Sequence, residues 1–119
     1  MTILTLFSII FILLYACNLT CSILRYDKTL AAFINVPELL IPVVGLIMGG
    51  LLLFSQFTDN ITLYIASYSM HFLTFPSIIP FAFLKHRCSK VKNVQITTFV
   101  ILGVSILGLI LSLILSYFI

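Results

Sequence analysis

VQITTFVILGVSILGLILSLILSYFI, residues 94–119, carries no charged side chain and exceeds the roughly 20 residues a helix needs to cross a hydrocarbon core. Three further stretches share its character: Ile3–Leu24, Pro37–Phe57 and Thr62–Leu84. None alternates polar and apolar residues with the period of two that a membrane β-barrel requires. In lipid every backbone amide must find its partner inside the segment, so such runs are helices. The reading is an all-α, integral membrane four-helix bundle, made of two antiparallel transmembrane hairpins in a single domain over residues 1–119.

Composition supports lipid as the solvent. Of the 119 residues, 62% are hydrophobic and 8% charged, and mean hydropathy is +1.31, whereas a soluble domain carries about 25% charged residues. The net charge of +3 comes from six basic and three acidic residues. Arg25 and Lys28 lie in one polar break, and Lys85, Arg87, Lys90 and Lys92 in another. Such small, confined clusters exclude nucleic acid as a partner and match the anchoring residues of membrane loops. With four spans, both basic breaks fall on one face, cytoplasmic or its organellar equivalent by the positive-inside rule. Both termini and the break at Asp59 then lie on the outer face. The membrane is read as a bacterial inner membrane or an organellar one. The basic clusters also suit anionic headgroups.

The N-terminal run lacks the positive start of a cleaved signal, has the bulky Tyr15 before Ala16, and continues to Leu24; it reads as a span. Cys17 and Cys21, one turn apart in an apolar run, are poorly placed for a disulfide and read as small hydrophobes, with metal binding or lipidation as the alternative. The tripeptides Asn18-Leu19-Thr20 and Asn60-Ile61-Thr62 match a glycosylation pattern but lie within or against the bilayer.

The breaks carry helix-capping chemistry. Asn35-Val36-Pro37-Glu38 reads as a start for the second helix, with Asn35 as N-cap and Glu38 at the capping-box position. The short Thr58-Asp59-Asn60 forces helices two and three into a hairpin. Asn93 reads as the cap of helix four. On this reading all three acids flank the spans.

Helix three is chemically the richest segment. Tyr64, Ser67, Tyr68, His71 and Thr74 recur every three or four residues and share a face. His71 falls near mid-span, where an ionisable residue marks a functional site by default. Proton relay, haem or metal ligation and a hydrogen bond to a quinone headgroup are open to it. So is plain packing, with its ring nitrogens satisfied by a neighbouring helix. Pro76 and Pro80 should loosen the same helix, leaving carbonyls for Ser77 or a neighbour to satisfy. Gly45 and Gly49, and Gly108 with Ser112 and Ser116, give two smooth stripes suited to close helix packing, within the bundle or against a partner.

Motifs for catalysis are missing: no HExxH, CxxC, phosphate loop or carboxylate pair occurs. The expectation is therefore no enzyme, no metal and no cofactor. Three functions are compatible: an accessory subunit of a respiratory or photosynthetic type of complex, with membrane-protein partners or self-association; a small oligomeric transporter or channel with a polar path along helix three; and a quinone- or haem-associated subunit.

Overall fold

The computed structural model describes residues 3–26, 28, 32–89 and 92–118. It contains four helices: α1 (Ile3–Leu24), α2 (Ala32–Thr58), α3 (Ile61–Cys88) and α4 (Lys92–Phe118). Each packs on its neighbours in the chain, and α4 closes the ring on α1. The helices thus stand at the corners of a square, with α1 facing α3, and α2 facing α4, across the diagonals. The body measures 47 × 22 × 19 Å, longer than the ~30 Å of a hydrocarbon core.

The square is polar inside and apolar outside. Among the described residues, buried polar side chains outnumber buried hydrophobic ones, and they include Asn18, Arg25, Glu38, His71 and Lys85. The outward faces carry Leu13, Ile47, Phe54, Leu73, Phe99, Leu113 and many like them. Water would not tolerate such a surface, and lipid requires it. Helices α1, α2 and α4 are each long and apolar enough to cross a membrane. α3 is as long but less apolar, because Ser67, His71, Thr74 and Lys85 face inward from it. The chain is a small membrane protein.

Three boundaries depart from expectation: α3 runs to Cys88, not Leu84, and takes Lys85, His86 and Arg87 into its last turn, and the starts of α2 and α4 shift as well. α2 begins at Ala32, not near Pro37, so neither Asn35 nor Glu38 is a cap; both are buried inside the helix. Pro37 and Pro42 are accommodated in its interior. The expectation that every acid flanks the spans falls with them. α4 begins at Lys92 and takes Asn93 into its first turn, where Asn93 Nδ2 donates to the Leu24 carbonyl at 3.2 Å. That bond ties the end of α1 to the start of α4 instead of capping α4.

The α2–α3 hairpin is as tight as its sequence requires. Asp59 turns the chain at φ 50°, a left-handed conformation that Asp tolerates better than most residues. Asn60 then caps α3, its side chain accepting from Leu63 N at 3.1 Å. α3 runs unbroken through Pro76 and Pro80. Ser77 Oγ donates to Leu73 O, whereas those prolines free the carbonyls of Phe72 and Pro76. Ser77 therefore does not satisfy them.

Candidate functional site

The inward stripe of α1 is Ser8, Phe11, Tyr15, Asn18, Ser22 and then Arg25 at its end, a spacing of three or four residues that keeps all six on one face. Opposite stand Ser67, His71, Thr74, Ile78, Ala82 and Lys85 of α3. α2 supplies Glu38, Pro42, Gly45, Gly49, Leu52 and Ser55. From α4 come Thr98, Ile101, Ser105, Gly108 and Ser112. Together these stripes make a polar column with an aromatic waist.

The waist crosses the square. Tyr15 Oη and His71 Nδ1 are 2.8 Å apart, linking α1 to α3 through the middle of the bundle. Thr74 also lies within reach of the Tyr15 hydroxyl. Tyr15 stacks on Phe75 at 4.5 Å between centroids, and Phe11 lies 4.7 Å from the His71 ring. All four rings are fully buried. Two glycines make room for them: a Cβ on Gly45 would lie 2.3 Å from the Tyr15 ring, and one on Gly108 would lie 2.2 Å from Phe75. Gly45, Gly49, Gly108 and Ser112 all face inward, and Ser116 is exposed. Gly45 and Gly108 thus receive rings from other helices, and Gly49 receives the Ile12 side chain.

At the basic end Arg25 closes the column. Its Nε lies 3.0 Å from Glu38 Oε1, with both side chains wholly buried. Its Nη2 donates to Thr98 Oγ1 at 2.6 Å and to the Ala82 carbonyl at 3.4 Å. From the end of α1, one guanidinium therefore reaches α2, α3 and α4. Burial pulls its pKa below the ordinary arginine range, and the Glu38 carboxylate opposes that pull. Ser22 lies beside Glu38, and Lys85, fully buried, places its ammonium 5.6 Å from the Tyr26 ring.

Of the basic residues read as topological anchors, Lys28, Arg87 and Lys92 are exposed, whereas Arg25 and Lys85 point into the bundle. For these two the anchoring role is incomplete. A membrane interior holds such charges only when they face protein partners. Lys90 lies outside the described residues.

At the opposite end the column meets a cleft of about 520 Å³ lined by Leu4, Ser55, Gln56, Asp59, Asn60, Ile61 and Tyr64. Gln56 Nε2 donates to Ser8 Oγ at 3.3 Å, and Thr5 Oγ1 bonds Gln56. Tyr68 Oη donates to the Ser112 carbonyl at 2.8 Å, joining α3 to α4.

Of the five helix-three residues singled out by spacing, Ser67, His71 and Thr74 are buried in the column, with Tyr64 and Tyr68 half-buried towards its cleft end. Spacing alone passed over Tyr15, Asn18, Ser22, Glu38, Thr98 and the contribution of Ser105. A signal existed in the polar residues 8, 15, 18, 22 and 25 of α1, which fall on one helical stripe. Among the described residues no three His, Cys, Asp or Glu side chains group to hold a metal.

Comparison of the chain with protein families, curated proteins and solved structures finds no match.

Proposed function

We propose that the protein is a small membrane transport protein whose path runs through the middle of the bundle. The observation that carries this reading is the asymmetry of the polar column. It widens into a cleft beside Asp59 and Asn60, narrows at the Tyr15–His71 waist, and is shut at the basic end by the buried Arg25–Glu38 pair. A purely structural bundle gains little from burying ions, since well-packed apolar residues of similar volume are often as stable or more so. A closed gate gains an interaction that can be made and broken.

The path differs from one along helix three, because α1 contributes as much of the lining as α3. Both termini and the cleft belong to the outer face, and the gate to the cytoplasmic or equivalent face. The test is reconstitution into liposomes, following pH-dye response under an imposed potential and light scattering after addition of urea or glycerol. The reading expects at least one rate well above that of empty liposomes; equal rates in every assay would refute it.

A second reading, assembly with partner subunits or with another copy, is favoured by Gly50 and Gly103. Both are exposed, and a Cβ on either would meet nothing within 4 Å, so another helix can approach closely there. Purification in mild detergent tests it: co-purification with a large complex supports an accessory subunit, and a free monomer excludes it. A haem or quinone role at His71 is disfavoured, because Phe11, Tyr15 and Phe75 crowd the ring at 4.7, 5.6 and 6.2 Å.

A further inference from the structure

We infer that Glu38 is a proton-binding site, and that uptake of a proton from the column releases Arg25 and opens the basic end. The inference rests on reading the column as a path and names the ion that operates it.

The argument begins with what holds Arg25. Glu38 is its one charged partner among the described ion pairs; its remaining bonds go to a hydroxyl and a carbonyl. A proton added to Glu38 removes the carboxylate charge and leaves a guanidinium surrounded by neutral acceptors in a dry interior, an arrangement that strongly disfavours burial. Arg25 is the first residue beyond α1, next to the exposed Tyr26. It can turn outward to water and headgroup phosphates without unwinding a helix. Proton uptake and arginine release favour each other, as linkage requires.

Glu38 has the means to receive the proton. Its Oε2 is buried without a well-formed hydrogen bond, and the Ser22 hydroxyl lies alongside the carboxylate. Pro42, four residues on, removes the backbone bond to the Glu38 carbonyl. Polar groups recur at each turn between Glu38 and the waist: Ser22 beside it, then Asn18, whose amide nitrogen and oxygen are both buried and unpartnered, and on α4 the buried, unpartnered Ser105 hydroxyl. Beyond them come the Tyr15–His71 bond, then Ser67, Ser8 and Gln56 towards the cleft. The proton adds to Oε2 from this chain of groups; no heavy-atom bond breaks, and Arg25 keeps its own proton.

The occupancy of the waist selects the ion. Phe11, Tyr15, His71 and Phe75 fill the cross-section, so a proton can be relayed where a solvated ion cannot pass without rearrangement. A metal cation would also meet two fixed positive charges. Arg25, just beyond α1, and Lys85 of α3 both act on Glu38, with Cys21 of α1 as the further titratable neighbour. Across from it, α4 presents the neutral Thr98.

The test uses the full chain in lipid nanodiscs with Cys17, Cys21 and Cys88 replaced by serine and a reporter thiol at Ser105→Cys. Labelling by a membrane-impermeant thiol reagent is normalised to its rate at Asp59→Cys. The expected result is a rise of at least tenfold in normalised rate between neutral and mildly acidic pH. E38Q should label rapidly at every pH. A flat profile in the parent, or an E38Q protein as protected as the parent at neutral pH, overturns the proposal. Should E38Q fail to fold, infrared spectra of the D27N/D59N protein decide. That chain retains Glu38 as its one acidic side chain, and a protonated-carboxyl band should grow in step with labelling. Labelling that rises without the band refutes the assignment. Neither measurement involves flux. A pH-gated protein without transport would refute the path, and transport without pH gating would refute the proton site.

Discussion

Tyr15 Oη and His71 Nδ1 meet at 2.8 Å across the diagonal of the square, between helices whose backbones do not touch. A hydrogen bond in that position does what neither helix can do for itself. It pairs two buried polar atoms at the point furthest from water, and it fixes the distance between opposite walls of the bundle. Phe11 and Phe75 complete the layer, so the waist combines close ring packing with a polar contact.

Tyr15→Phe removes one partner and leaves His71 Nδ1 buried and unpaired. The expected cost is about 1–3 kcal/mol, read as lower resistance to denaturing detergent. Replacing both residues by phenylalanine should cost less than the sum of the two single changes, because no orphaned polar atom remains.

Gly45→Ala and Gly108→Ala should each destabilise the protein by about 1–3 kcal/mol, the usual effect of overpacking, because the new Cβ meets a ring at 2.3 or 2.2 Å. Gly50→Ala and Gly103→Ala meet open space. They should be neutral or gain up to about 1 kcal/mol from helix propensity. Thermal unfolding of the four variants in one detergent checks the contrast. If all four melt alike, the rings do not occupy the glycine positions.

Removing either member of the buried ion pair should be severe. Arg25→Met or Glu38→Leu alone is expected to cost about 3–5 kcal/mol, and the double variant less, because it removes the guanidinium together with its carboxylate. A double-mutant cycle on unfolding free energy measures the coupling. Additive losses would show that the contact is not an energetic unit.

The two ends of the bundle should label from opposite sides. Cys88, exposed at the end of α3, is expected to react with an impermeant reagent only from the basic, cytoplasmic-type face. A cysteine at Asp59 should react only from the other. Reaction of both from one side would refute the assignment of faces.

Much of this protein is legible in its sequence because lipid imposes one dominant rule. Uncharged runs longer than a bilayer is thick must be helices, and the first of them, Ile3–Leu24, has the same limits in the structure. The tight turn at Asp59 and Asn60 follows equally from local chemistry. A local reading misplaced the start of α2. Asn35, Pro37 and Glu38 resemble a helix cap in every local respect, yet they lie inside a helix that starts at Ala32. Capping side chains are recognised by residue type, whereas a helix extends as far as its tertiary contacts support it.

Sequence alone determined that the chain is helical, apolar and made of four segments, since length and hydropathy act on each segment separately. Tertiary structure alone decided which side chains share the interior. Arg25 and Glu38 are 13 positions apart in the chain, and Tyr15 and His71 are 56 apart. Their meeting depends on the rotation of each helix about its axis. That rotation is set by how four polar stripes avoid lipid together, and no one of the four segments contains the information.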